Sequence, residues 1–319
     1  LKVVSSQLKV AVLMGGIGEE RAISIQSGTC VAQALREAGF NVITADVQPD
    51  NLDILEHADI DVFFLALHGR FGEDGQLQQI FEDKSLCYTG SGPEASRLAF
   101  DKMASKNAFA KANIDVPPAL EFGPEADIHE LDRQLQGLGD RYVVKPLRQG
   151  SSVGTSIVAD PREAISTAQR TCAEFGDCMI EKFIPGREIT VGILGREALP
   201  IVEIKSKTGF YDYRAKYIDE QTEYLLDTIT DVTLTAKIKA AALSCFDALR
   251  CRDFGRVDFI LGNDMVPYAL EVNTIPGFTT HSLLPKAAAK AGLSMSDLCG
   301  QIVKAAHSSL LKRETLRKL

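Results

Sequence analysis

The chain is short of patterned cysteine, of net positive charge and of long apolar runs, and each shortage removes a class of protein. Its seven cysteines, at positions 30, 87, 172, 178, 245, 251 and 299, are scattered, odd in number and include no C-x-x-C pair. Neither a zinc cluster nor a disulfide framework is indicated, and a reducing cytoplasm is the expected compartment. Lys and Arg number 35 against 43 Asp and Glu, a net charge of -8, whereas a dedicated binder of nucleic acid or anionic membrane needs a net basic face. Any anionic ligand must be met by locally placed Lys and Arg. No stretch approaches the length of a membrane span. The apolar run 8–14 leads into Gly15-Gly16 and Glu19-Glu20-Arg21, which reads as strand and loop rather than as a signal peptide. Internal repeats and low-complexity tracts are also missing.

What is present is the text of a layered α/β protein. At 319 residues, two or three domains are expected. Strand signals at 9–14, 41–47 and 61–67 surround a helix over 24–38 that stops at Gly39, suggesting a doubly wound, Rossmann-like first domain. The loop GGIGEER resembles a dinucleotide fingerprint only superficially: Arg21 stands where a third glycine is wanted, and Glu19 and Glu20 would repel a pyrophosphate. Glu20 is then either an acidic helix cap or a carboxylate awaiting a cationic ligand group. His68, at a strand end beside Gly69 and ahead of Gly72-Glu73-Asp74-Gly75, is either a plain loop residue or a functional one.

Further along, a helix is predicted over 102–113, a strand over 142–145 and another over 178–184. Between them lies Gly150-Ser151-Ser152-Val153-Gly154. Its small residues permit backbone N–H groups to approach a phosphate, although a flexible hairpin has the same composition. Lys145 enters this loop, and Lys182 alternates with Glu181 on the later strand, so one of that pair can meet phosphate while the other accepts from a base or ribose. The stretch 208–217, polar and aromatic without a period, reads as a lid.

The most informative stretch is 254–282. Two β-rich runs, 256–261 and 266–272, flank Gly262-Asn263-Asp264-Met265, a hairpin signal. With the turn at Asn263-Asp264, Arg256 faces Glu271, Asp258 faces Ala269, and one side of the ribbon carries Arg256, Asp258, Glu271 and Asn273. The other side carries Val257, Phe259, Leu270 and Val272 toward a core. A salt-bridged sheet edge would use the same charges. Two carboxylates and an amide on one face nonetheless make an all-oxygen ligand set suited to Mg²⁺ with phosphate.

In order, the segments MGGIGEERAIS, ALHGRFGEDG, the 150–154 loop after VVKP, IEKFIPGREITVGILG, FYDYRAKY, GRVDF and EVNTIPGFTTHSLLP resemble those of D-alanine:D-alanine ligases of the ATP-grasp superfamily. The resemblance implies an ATP-grasp fold behind an N-terminal Rossmann-like domain, divided at 1–100, 101–187 and 188–319. It implies ATP-dependent joining of two D-alanines through a D-alanyl phosphate, with two Mg²⁺ ions that Mn²⁺ can replace, in a cytoplasmic homodimer without nucleic-acid or membrane partners.

By position, the resemblance makes Asp258, Glu271 and Asn273 metal ligands and sets Lys102, Lys145, Glu181, Lys182, Glu188 and Lys216 around ATP. Arg256 becomes the donor to the acyl-phosphate oxygens. Glu20 faces the first D-alanine's ammonium with His68 nearby, while Ser151 and Tyr217 bond to Glu20 across the lid. Lys216, Ser282 and the backbone of Leu283 receive the second carboxylate, and Gly277 brings the backbone close. Two departures, Gln149 and Ile275, remove no functional group. A D-lactate- or D-serine-adding relative and an inactive nucleotide-binding regulatory module are the alternatives.

Overall fold

The computed structural model describes residues 8–205 and 222–317, with side chains through residue 310. Three sheets organise it. The first is parallel, ordered β2-β1-β3, from β1 (Lys9–Gly15), β2 (Asn41–Val47) and β3 (Val62–Leu65). Helix α1 (Arg21–Glu37) is the crossover from β1 to β2, and Gly39 takes φ +88° just past its end, the left-handed turn that glycine makes cheaply. Strands β1 and β3 are apolar and almost wholly buried, as central parallel strands are. Arg21 makes a two-pronged ion pair with Asp46, Nη1 to Oδ1 at 2.9 Å and Nη2 to Oδ2 at 2.5 Å. It thereby ties the start of α1 to the end of β2.

Helices α2 (Gln76–Asp83) and α3 (Pro93–Phe100) lead to α4 (Lys102–Lys111), capped by Asp101, whose side chain accepts from the Met103 and Ala104 N–H groups. The second sheet is antiparallel, ordered β4-β7-β5-β6, from β4 (Ala119–Phe122), β5 (Tyr142–Pro146), β6 (Ser156–Val158) and β7 (Cys178–Lys182). It is backed by α5 (Ile128–Leu138) and α6 (Pro161–Phe175). Their caps are Asp127 and Asp160, each followed by an acidic residue three positions later, as the spacing suggests.

The third sheet runs β10-β9-β8-β11-β12, from β8 (Gly186–Leu194), β9 (Glu197–Lys205), β10 (Glu223–Leu226), β11 (Phe254–Gly262) and β12 (Pro267–Asn273). Helix α7 (Val232–Ala248) covers one face with Ile238, Ala242 and Phe246. Helices α8 (Leu283–Lys290) and α9 (Met295–Arg317) return to the first sheet, where Leu298, Ile302 and Val303 share a core with Val31 and Leu35 of α1.

The β11–β12 hairpin corrects the expected register. Arg256 pairs with Asn273, Asp258 with Glu271 and Phe259 with Ala269, with a bulge between Asp258 and Phe259. The loop holds three residues, because the Gly262 N–H donates to Val266 O and Met265 N–H to Gly262 O, with Met265 left-handed at φ +62°. The longer loop and the bulge each shift pairing by one residue. Two shifts of one restore the face in a pattern of period two, so the four polar residues share a side as anticipated although their partners differ. Leu270 is the exception: it lines a cavity instead of joining the core, where Ala269 takes its place beside Val257, Phe259 and Val272.

Candidate active site

Two adjoining cavities collect the polar ends of these elements. The larger, of about 670 Å³, is lined by Glu20, His68, Ser151, Arg256, Asn273 and Ser282, with Gly277 and Leu283. The smaller, of about 350 Å³, is lined by Lys145, Glu181, Lys182, Glu188 and Asp258. Lys102, Gln149 and Glu271 border both. Every anticipated site residue therefore lies on one of the two cavities except Lys216 and Tyr217, which fall outside the described residues together with the rest of FYDYRAKY.

At the hairpin, Asp258 is clasped by Arg256, with Nε to Oδ1 at 2.8 Å and Nη2 to Oδ2 at 2.7 Å. Thr190 on β8 adds a donor to Oδ1 at 2.5 Å. Arg256 and Asp258 are both buried, and a two-pronged guanidinium–carboxylate pair tolerates burial because both partners are hydrogen-bonded. Glu271 lies 3.3 Å from Lys102, whose Nζ also donates to Gln149 O at 2.6 Å. With its amide turned to the orientation that satisfies both ends, Asn273 donates to Glu73 Oε1 at 2.9 Å and accepts from Arg256 Nη2 at 3.2 Å.

Asp258, Glu271 and Asn273 supply hard oxygen donors from one face of the ribbon, on rungs separated by the Val257–Val272 pair, and carboxylate oxygens keep lone pairs beyond those used here. No cluster of three His, Cys, Asp or Glu side chains in ligating arrangement occurs among the described residues. An all-oxygen site of two carboxylates and an amide fits Mg²⁺ shared with phosphate, and would not suit zinc.

Glu73 was not anticipated as a site residue, although its GEDG segment was conspicuous. Its Oε2 accepts from Gly69 N at 2.7 Å. Burial, reinforced by the nearby Glu20 carboxylate, pushes its carboxyl up to about 8. Thr190 and Lys106 were missed as well. Thr190 gives no signal beyond strand alternation, but Lys106 follows Lys102 by four residues and so shares its helix face.

On the opposite wall, Glu20 precedes α1 but makes no side-chain cap to it. Its Oε1 instead accepts from Ser151 Oγ at 2.6 Å, across 131 residues. The 150–154 loop is thus drawn over the larger cavity, with Ser151 and Ser152 at φ +53° and +59°, a strained backbone of the kind that clusters at functional sites. His68 is buried; its Nδ1 is 3.0 Å from Ile275 O and its Nε2 is 3.1 Å from Ser27 Oγ. At Gly277 an added Cβ would stand 2.6 Å from Ser282 Oγ, so glycine there permits the close approach. The Ser282 hydroxyl bonds to Thr279 N and Oγ1, both at 2.9 Å, rather than capping α8.

At the smaller cavity, Glu181 is approached by Lys145, which shares that wall, at 3.0 Å and by Lys106 from behind it at 2.6 Å. Burial opposes ionisation of Glu181, but the two ammonium groups outweigh it and hold the carboxyl below its usual range. Lys182, next along β7, is exposed, which separates the fates of that alternating pair.

A family model for the D-ala D-ala ligase C-terminus matches residues 110–304, and one for the N-terminus matches residues 48–91. A D-alanine–D-alanine ligase of Syntrophotalea carbinolica is 41% identical over 302 residues, 94% of this chain and 96% of that protein. The chain belongs to the D-alanine–D-alanine ligase family. A second member, from Methylacidiphilum infernorum, is 39% identical over 93% of this chain and 95% of that protein. The crystal structure of D-alanine–D-alanine ligase from Bacillus anthracis matches with a TM-score of 0.86 at 35% identity, covering 96% of this chain and 99% of that one. The same enzyme complexed with ATP matches at 0.85 and 34%, covering 97% of this chain and all of that one. The chain is a ligase with the ATP-grasp fold of this family, its three sheets arranged about the two cavities.

Proposed function

We propose that the two cavities hold the two halves of one reaction, the ATP-dependent joining of two D-alanine molecules. The observation that carries the reading is their shared border. Lys102 and Glu271 line both cavities, and Arg256 reaches from the larger one to Asp258 of the smaller. A γ-phosphate bound beside Lys145 would lie next to a carboxylate bound beside Arg256. The first D-alanine's carboxylate oxygen attacks that phosphorus and ADP leaves. The second D-alanine's neutral amine then attacks the carbonyl carbon; the C–N bond forms, the C–O bond to phosphate breaks so that phosphate leaves, and the nitrogen gives up one proton and keeps the other as the amide N–H.

Glu20, fixed by Ser151, faces the first ammonium as a carboxylate. Arg256 donates to the oxygens on which charge develops, and as a guanidinium it needs no proton to do so. His68 buttresses the 275–278 backbone from below. The start of α8, with Ser282 and Leu283, receives the second carboxylate, as helix N-termini favour anions. Lys145, Lys182 and Lys102 serve the phosphates, and Glu188 the ribose side. Asp258, Glu271 and Asn273 would hold Mg²⁺, which when bound neutralises phosphate charge. Lys216 and Tyr217 of the lid, the cytoplasmic homodimer and the three-part division at 1–100, 101–187 and 188–319 belong to the same reading; the three sheets support that division.

Phosphate release with D-alanine against L-alanine, followed by mass analysis of the product, tests it. D-alanyl-D-alanine is expected with D-alanine alone. Preferential incorporation of D-lactate or D-serine would transfer the reading to another second substrate, and absence of D-alanine-dependent phosphate release would sink it. Arg256→Ala is expected to lower kcat by ~10²- to 10³-fold, the loss typical of one oxyanion donor. A fall under threefold would remove Arg256 from the reacting oxygens.

A further inference from the structure

Helix α4 carries a second lysine for which the reaction, as described, has no use. Lys102 and Lys106 are one turn apart on one face. Lys102 reaches the border of the cavities, whereas Lys106 is only 3% exposed and lines neither of them. Its Nζ donates to Pro117 O at 2.8 Å and lies 2.6 Å from Glu181 Oε2. Glu181 is equally buried, and its other oxygen accepts from Lys145 Nζ at 3.0 Å. One buried carboxylate thus sits between two ammonium groups. Lys145 opens on the smaller cavity and Lys106 does not.

A buried charge must be compensated, and a carboxylate with a single counter-ion claims that counter-ion outright. With Lys106 present, the trio carries a net single positive charge, and of its two ammonium groups the one that opens on the smaller cavity, beside Glu181, is that of Lys145. Burial pushes the Lys106 ammonium down to about 8, against the pull of Glu181, so it still carries its proton at pH 7.

We propose that Lys106 is a positioning residue for phosphate binding: as the dedicated counter-ion of Glu181, it leaves the charge of Lys145 available to the phosphates of the nucleotide. The proposal rests on reading the smaller cavity as the nucleotide site. It predicts a dependence on phosphate that an anchoring role for Lys106 would not produce. Without Lys106, Lys145 is drawn onto Glu181, so ligands with phosphates lose affinity and the bare nucleoside does not.

Adenosine, ADP and ATP, with Mg²⁺, are titrated calorimetrically into the native enzyme, Lys106→Met and the double variant Lys106→Met/Glu181→Gln. For Lys106→Met, ATP binding is expected to weaken by roughly 5- to 150-fold, the range typical of energetic coupling between two sites. Adenosine should stay within about twofold, on the scale of weak surface terms. The double variant has no carboxylate to claim Lys145 and should recover most of the ATP affinity lost relative to adenosine. Equal losses for adenosine and ATP, no loss for either, or a double variant as defective toward ATP as the single one would each overturn the proposal. If Lys106→Met does not fold, the double variant buries no unpaired carboxylate and carries the comparison: an ATP-to-adenosine affinity ratio within threefold of native supports the proposal, and a larger fall overturns it. Failure of the native enzyme to bind either adenosine or ATP would instead remove the nucleotide site itself.

Discussion

His68 is held between an acceptor and a donor, and that arrangement fixes its proton. The Ile275 carbonyl can only accept, so Nδ1 bears the hydrogen; Ser27 Oγ, which accepts from Phe278 N at 3.2 Å, then donates to Nε2. The neutral imidazole completes this relay, and burial, only partly offset by Glu20 and the carbonyl, holds its pKa below the usual histidine value. Between the native and unfolded pKa values the unfolded chain binds more protons, so stability present above about 6.5 is lost as pH falls. Urea unfolding at pH 7.5 and 5.5 is expected to show the native enzyme losing stability relative to His68→Gln, which cannot titrate there. A difference that stays constant across this range would mean that the ring charges freely where it sits. His68 was legible as a strand-end histidine, but nothing near it in sequence announces Ser27 or Ile275. Its partners, 41 and 207 residues away, exist only once the sheet and the 275–278 loop meet.

Among the elements, the β11–β12 hairpin shows which part of a site can be read from a strand and which cannot. Alternation assigned Arg256, Asp258, Glu271 and Asn273 to one side, because the side-chain period of two survives any even shift of register. The pairing itself was not legible, since it depends on a left-handed Met265 and on a bulge at Leu270, and neither residue type advertises those conformations. Asparagine or glycine would be the usual choice for the left-handed position. Met265 is 55% exposed, so its side chain contributes little packing to set against the strain. Met265→Gly should relieve about 1–2 kcal/mol of left-handed strain and give back about 0.4–1 kcal/mol through a more flexible unfolded chain. A net stabilisation of about 0.5–1 kcal/mol is therefore expected as a higher urea midpoint, with ATP turnover unchanged. A lower midpoint would show that Met265 packs usefully in solution.

At the scale of the whole molecule, three phenylalanines tie together segments that the sequence keeps far apart. Phe64 lies on β3, Phe254 begins β11 and Phe278 follows Gly277; all are buried. Their ring centroids are 6.2, 5.4 and 5.6 Å apart, two of the three pairs edge to face. Helix caps and strand alternation made the individual elements legible, but they carry no information about which apolar faces meet, because hydrophobic burial is non-directional. The cluster is where the first sheet, the third sheet and the 275–278 loop become one body. Removing the central ring should therefore act at two levels. Phe278→Ala is expected to cost about 3–5 kcal/mol of stability, as for other large-to-small core changes. It should also loosen the 275–278 backbone against which His68 and Ser27 are braced. Phe278→Leu keeps most of the volume and should cost well under half as much. Because the loop borders the larger cavity and not the smaller, the KM for D-alanine should rise in Phe278→Ala while the KM for ATP stays near native, measured below the variant's melting temperature. Parallel increases in both constants would mean that the cluster supports the enzyme as a whole and does not set the amino-acid site in particular.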